Sequence, residues 1–376
     1  MADPTTLDVV VVVVVVGLRL GVPLLIPCFP LPAILVALVI DGIDQTVFQS
    51  WLSHGFWHQV EDSYQGYDKA LDVYYLTVAY TATMRNWTNM TAARWAQFLW
   101  LYRLAGVALF EILHTTPDSW RWLLLVFPNT FEYFFIAYEA IRLRWNPLRL
   151  SRRFVALLAI GIWVFVKLPQ EWWIHVAQLD FTDFADEHAW VWPTLVVLLV
   201  AAVVVGWYAI GHWLPAADWR LRIAAGPLPA DLDTPAERDA YRAVRWRVFD
   251  WHLAEKVVLV ALVCVIFAEI LPGSTATAAQ VATVVSILIV VNSAIGLAFA
   301  RRRLSIRSSG VEFLAMCALN LAILLVLRTL SARFALDNAL FFVLLISLIV
   351  LLYDRYGPIR TERLDAARSI QASTIQ

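Results

Sequence analysis

Charge is scarce in this chain. Asp, Glu, Lys and Arg make up 16% of its 376 residues, where a soluble domain carries roughly 25%. That deficit excludes an ordinary water-facing surface on every helix. The net charge of −1 excludes the basic balance of a nucleic-acid binder. Cysteine is nearly absent. Cys28, Cys264 and Cys317 lie far apart in apolar stretches, so neither a metal-ligand spacing nor a disulfide framework exists. Lysine occurs only as Lys69, Lys167 and Lys256, and the dominance of arginine points to a GC-rich bacterial genome. Tryptophan is missing from 252–376, although 18 tryptophans lie between Trp51 and Trp251.

What is present is apolar. The hydrophobic share is 61% and the mean hydropathy is +0.68. Crossing about 30 Å of hydrocarbon takes roughly 20 residues of helix. Segments of that kind lie at 8–28, 32–53, 68–84, 95–113, 119–141, 154–178, 190–214, 257–272, 276–300, 311–330 and 335–353. The expected fold is an all-α, polytopic transmembrane helix bundle of ten or eleven spans. The uncertainty in number comes from 8–53, which reads either as two spans or as one span plus a re-entrant segment. The first eight residues contain two aspartates and no Lys or Arg. A signal peptide wants a basic start, so the first apolar run is expected to be a retained helix.

Orientation follows from Lys and Arg in the connections. Segment 142–153 has five arginines, 215–256 has seven basic residues, 301–307 has four and the stretch after 353 has four. Segments 54–67 and 179–189 have no Lys or Arg, but carry Glu61 and Asp62, and Asp180, Asp183, Asp186 and Glu187, respectively. The alternation predicts a cytoplasmic C-terminus in a plasma membrane, the bacterial inner membrane. The sequons at Asn86 and Asn89 would then face the cytoplasm, where glycosylation is not expected.

Three parts are distinguishable. Residues 1–214 form a Trp-rich transmembrane part of about seven helices. Residues 215–256 are a cytoplasmic connection. Within it, Thr234-Pro-Ala-Glu237 has the form of a capping box with proline at the first helical position. The helix it opens places Tyr241, Val244, Val248 and Trp251 on one face, flanked by Arg238, Arg242, Arg245 and Arg247, and is expected on the inner membrane surface. Residues 257–376 are an aliphatic four-helix part with a short cytoplasmic tail. No internal repeat relates the halves, so an inverted-repeat design is not expected.

Charge at the centre of a membrane helix costs about 2.5–3.5 kcal/mol on insertion scales. It persists when it is paired, wetted or used. Asp41, Asp44 and Gln45 share one face of the second segment, and Asp68, Asp72 and Tyr75 one face of the third. Glu111 and His114 sit at i, i+3 near the end of the fourth. Asn129 and Glu132 do the same in the fifth. Lys167, Glu171 and His175 climb the sixth at i+4 steps, toward Asp180 and Asp183. In the predicted orientation, Asp41, Asp44, Glu132 and Lys167 lie deep and the remaining eight near the outer boundary, as a polar funnel closed by an ion-pair layer. Asp41 and Asp44 should not both ionise without a counter-charge: either Lys167 or a cation supplies it, or one carboxyl stays protonated.

The pairs Asp41-x-x-Asp44 and Asp68-x-x-x-Asp72 match aspartates of the CDP-alcohol phosphotransferases. Gln45 replaces that family's glycine and Phe48-Gln49 its Ala-Arg, so membership does not follow. Glu61-Asp62 and Asp72-Val-Tyr-Tyr75 resemble, over those few residues, the acidic first outer loop of membrane glycosyltransferases that use lipid-linked sugars. Three functions therefore stay open. The first is a transporter or permease with a gated ionisable site. The second is an enzyme acting on a lipid-linked substrate at the outer boundary, with His114 and His175 as bases or metal ligands. The third is a non-catalytic scaffold. The bilayer is the only partner the sequence identifies; substrate, cofactor and oligomeric state are not legible.

Overall fold

The computed structural model describes residues 5–113, 120–177, 188–212, 215–218, 221–270, 276–302, 309–330 and 336–373. It is helical over 84% of its length, with no strand among the described residues. Among the described residues six helices are long and apolar enough to cross a membrane: Thr6–Leu25, Pro30–Trp51, Met90–Leu113, Arg152–Ile174, Ala278–Arg301 and Leu340–Ser369. Each corresponds to one of the eleven expected segments.

The first two, α1 (Thr6–Gly21) and α2 (Pro30–Trp51), form a hairpin. A capping box starts α1: Asp8 N donates to Thr5 Oγ1, and Thr5 N donates to Asp8 Oδ2. The same carboxylate also accepts from Ser53 N and Ser53 Oγ at 2.7 and 2.9 Å, tying the start of α1 to the far end of α2. With the 3-10 turn Val22–Leu25 that continues α1, both are long enough to cross a membrane, so 8–53 holds two candidate spans.

Next, α3 (His54–Asn86) is a single helix of 33 residues that contains the expected 68–84 segment. The turn into α4 (Met90–Leu113) is set by the two sequon asparagines. Asn89 Oδ1 accepts from Thr91 N and Ala92 N, while its amide donates to Pro147 O and Leu150 O. Asn86 donates to Pro27 O. Both side chains are buried. They are structural caps and braces.

The expected single span at 119–141 is two pieces, α5 (Trp122–Val126) and α6 (Thr130–Arg142). Pro128 is the cause. It has no N–H to continue the helix and it forces Phe127 out of helical geometry. The freed carbonyls find partners on α4: Tyr102 Oη donates to Val126 O at 3.0 Å, and an Arg103 guanidinium N–H to Phe127 O at 2.7 Å. The break presses directly on α4 at Gly106, where an added Cβ would stand 2.0 Å from Phe127 Cβ. Only glycine admits that approach.

After α7 (Arg152–Ile162) the helix continues through two π-helical turns, Trp163–Lys167 and Trp172–Val176, on either side of the short α8 (Leu168–Glu171). Pro169 lies between them. The wide turns keep the chain helical across a proline and point Lys167 and Glu171 inward, both buried. Then come α9 (Val191–His212), α10 (Pro235–Arg245), α11 (Trp251–Ile270), α12 (Ala278–Arg301), α13 (Ser309–Leu330) and α14 (Leu336–Ser373).

The expected capping box opens α10, with Thr234 and Glu237 bonding reciprocally. The bond from Thr234 N holds the Glu237 carboxyl below its usual range. The arginines of α10 depart from a solvated flank. Arg238 is buried, donating to Leu232 O and Asp233 O, and burial lowers its pKa. Arg242 is buried among Asp239 and Asp354; burial opposes its charge, but the two carboxylates outweigh that and hold it ionised. The exposed side of this helix instead carries Val244.

The helix α14 runs on to Ser373, so the residues after 353 pack as helix against α3, α11 and α10. One continuous core joins α2, α3, α4, α6, α11, α12 and α14, with Trp87, Trp100, Tyr80, Tyr138 and Tyr353 among its fully buried side chains.

Candidate functional site

The polar residues singled out in the sequence fall into distinct groups. In the first, four carboxylates from two helices close on a single guanidinium. Arg19, near the end of α1, meets Asp44 in a short buried contact and Asp41 at 2.5 Å, both from α2. From α3 it meets Asp68 at 3.0 Å and Asp72 at 3.2 Å. Helical spacing brings each acid pair to bear, at i, i+3 on α2 and i, i+4 on α3. Arg19 and Asp44 are enclosed, whereas the side chains of Asp41, Asp68 and Asp72 are 22%, 35% and 36% exposed. The centre is therefore sealed at its base and open at its rim.

Aromatic residues fix the enclosed side. Tyr64 Oη donates to Asp44 Oδ1 at 2.5 Å, and the Tyr67 ring lies 5.9 Å from the guanidinium carbon. Phe48 and Trp57 pack against Tyr64 in a small separate apolar cluster. At the rim, oxygens of Asp41, Asp68 and Asp72 all lie within 4.8 Å of one another, a spacing that can hold a metal ion. One cation against four carboxylates leaves an excess of negative charge, which a proton or an added cation must offset in a low-dielectric setting.

A second group continues from the first along α3. Tyr75, two turns past Asp68, donates to Glu132 Oε1 at 2.5 Å. Glu132 also accepts from Asn129 Nδ2 at 2.8 Å, and Asn129 N donates to Glu171 at 3.1 Å. Glu171 pairs with Lys167 at 3.5 Å, while Lys167 donates to Gln170 and lies 4.5 Å from the centre of the Tyr133 ring. Thus Lys167 is engaged with Glu171 and its own helix, and the counter-charge of Asp41 and Asp44 is Arg19.

Glu111 stands apart, paired with Lys69 at 3.2 Å. His114, Asp180 and Asp183 lie outside the described residues, as does the side chain of His175.

Two further groups were not legible from spacing. Glu255 of α11 is fully enclosed and holds Arg360 of α14 through both guanidinium arms; Tyr80 and Tyr353 donate their hydroxyls to the same carboxylate. Here one positive group meets one negative group and the hydrogen bonds are complete. Such a site has no charge left over, and it locks α3, α11 and α14 together. Beside it, Lys256 meets Asp354 at 2.5 Å, and Asp354 meets Arg242 at 3.3 Å.

Arg19 escaped the sequence pattern because it has no polar neighbour on its own helix face. Positions three and four away hold Val15, Val16, Val22 and Pro23. The available signal was simpler: a single arginine inside an otherwise valine-rich segment, which is costly unless it is paired. Comparison with protein-family models, with curated proteins and with solved structures gives no match to this chain.

Proposed function

We propose that this is a membrane transport protein whose substrate or coupling ion is a cation or proton, handled at the Arg19 centre. One observation supports the reading above others: a single guanidinium faces four carboxylates, and three of those carboxylates are partly open. A balanced ion pair such as Arg360 with Glu255 needs nothing more. The Arg19 centre needs a mobile positive charge, and it can exchange one.

In this reading Asp41, Asp68 and Asp72 receive the cation, Asp44 and Tyr64 anchor Arg19, and the Tyr75–Glu132–Asn129–Glu171–Lys167 chain forms a second polar layer next to the first. Asp72 lies within Coulombic range of both Asp41 and Glu132, so charge at one layer is felt at the other. The break at Pro128 and the π-helical turns around Pro169 flank that second layer, where irregular backbone lines the protein interior. The basic connections support about eleven spans with the C-terminus in the cytoplasm of a bacterial inner membrane.

The test is flux in proteoliposomes. Wild type should carry protons or one of a panel of monovalent and divalent cations down an imposed gradient. Asp41→Asn and Asp72→Asn should each abolish that flux while the protein still folds. Equal flux in wild type, in both variants and in empty liposomes would remove the proposal.

A second reading draws on the same geometry. Four aspartates of the two Asp pairs converge, and three of them can grip a divalent cation. A cation-dependent enzyme acting on a lipid-linked substrate would use that arrangement. It predicts lipid turnover that chelation abolishes and no ion flux.

A further inference from the structure

At the opposite end of the chain from Arg19 is a cavity of about 300 Å³ between α10, α12, α13 and α14. That is at the lower end of ligand-pocket volumes, roughly 300–1,000 Å³. It exists because α13 packs mainly on α14 and only lightly on α12, so α12 and α13 part.

Its walls and its polar groups are of different kinds. The walls are aliphatic and aromatic: Ile295, Phe299, Met316 and Leu319. Gly296 leaves one wall bare, and a Cβ added there would meet nothing within 4 Å. Deeper in, Asn292 is 6% exposed; its Nδ2 donates to Asn320 Oδ1 at 2.5 Å, and Asn320 in turn donates to Ser347. The carbonyl oxygen of Asn292 has no partner. A buried acceptor without a donor is costly, and this one belongs to a residue that lines the cavity.

Charge on the lining is mostly negative. Asp239, Glu312 and Asp354 face Arg242. Arg242 is taken up by Asp239 and Asp354, and Lys256 by Asp354. Among the described residues Glu312 makes no hydrogen bond or ion pair. The cavity thus offers a carboxylate and an amide oxygen that take no hydrogen bond among the described residues, and an apolar wall. An N–H donor with positive charge satisfies the first two, and an aliphatic chain covers the third. An anionic head would meet the Glu312 carboxylate and gain no donor that is not already engaged.

We infer that this cavity binds a primary ammonium carried on an aliphatic chain, with the ammonium at Glu312 and Asn292 and the chain along Phe299 and Met316. Such a group comes either as the headgroup of an aminophospholipid or as a free alkylamine. The site is separate from the Arg19 centre, so its occupancy does not depend on the transport reading.

Native mass spectrometry of the full-length protein in detergent tests it. The probes are phosphatidylethanolamine, phosphatidylcholine, phosphatidylglycerol and hexylamine. The expected result is binding of phosphatidylethanolamine, hexylamine or both, above the other two lipids. Glu312→Gln should weaken that binding about tenfold or more, the scale of a hydrogen bond to a charged group. Gly296→Leu, which fills the space without a backbone clash, should block it. Binding of the phospholipid alone assigns a lipid site, and binding of hexylamine alone a free-amine site. Preference for phosphatidylglycerol, absence of any amine binding, or amine binding unchanged in both variants overturns the inference. Unfolding curves of each variant matching wild type show that the loss is local.

Discussion

Replacing Arg19 with methionine removes the only cation within contact distance of Asp41, Asp44, Asp68 and Asp72 among the described residues. The cost differs among the four. Asp41, Asp68 and Asp72 are 22–36% exposed, so their share is smaller than that of an enclosed carboxylate. Asp44 has a fully enclosed side chain and, among the described residues, would keep only the Tyr64 hydroxyl. Breaking a buried pair by removing one partner costs about 3–5 kcal/mol. Arg19→Met should therefore destabilise the protein by about that amount. Asp44→Asn added to Arg19→Met should restore about 2 kcal/mol or more, because it removes the charge that was stranded. The assay is denaturation in mixed micelles at neutral pH. It can be followed by Trp57, whose ring packs 5.9 Å from that of Tyr64. A loss below about 1 kcal/mol for Arg19→Met, or additive losses in the double variant, would refute the reasoning.

Arg360→Met should cost about 3–5 kcal/mol as well, since it strands Glu255. It should leave ion flux per folded molecule unchanged, as measured in the same proteoliposomes. Gly106→Ala drives a methyl group into Phe127 and should destabilise by about 1–3 kcal/mol or more, read as a shift in the unfolding midpoint; an unchanged midpoint contradicts the close approach. Asp218 accepts Asn146 N at 2.7 Å and pairs with Arg149 at 2.9 Å. The Asn146 bond, then Arg149, holds its carboxyl below the usual range. A depressed folded value means that this tether is present above the unfolded value of about 4 and is lost as pH falls through the lower folded value. Limited proteolysis of the 215–218 region should rise only at such acid pH in wild type, and at neutral pH in Asp218→Asn.

The helical, membrane-spanning character was legible because it is a bulk property. Valine- and leucine-rich runs of spanning length need no tertiary information, and six of the expected segments reappear as helices long and apolar enough to span. Capping chemistry was equally local, and the box at Thr234 formed as read. The interruption at Pro128 was a local signal too, but a long apolar run hides it. A broken helix there holds only because Tyr102 and Arg103 of another helix satisfy the freed carbonyls.

For the site, i+3 and i+4 spacing identified Asp41, Asp44, Asp68 and Asp72 but not what faces them. Arg19 sits alone on its helix face, so its partners are all tertiary. Glu255 and Arg360 are 105 positions apart, and no helical period connects them. Arg360 lies in a stretch that reads as a tail by composition, yet it is helical and buried against α3 because Glu255 and Tyr80 await it there. Spacing along one helix finds stripes. It does not find the partner on another helix.

The central claim is that the Arg19 centre lacks positive charge and exchanges it. Proton counting tests that most directly. Detergent-purified protein in weakly buffered medium with a pH indicator is titrated with the cation that supports flux. The account predicts that wild type releases protons as the cation binds, and that Asp41→Asn releases fewer or none. Cation binding with no proton release in wild type, or identical release in Asp41→Asn, would contradict it.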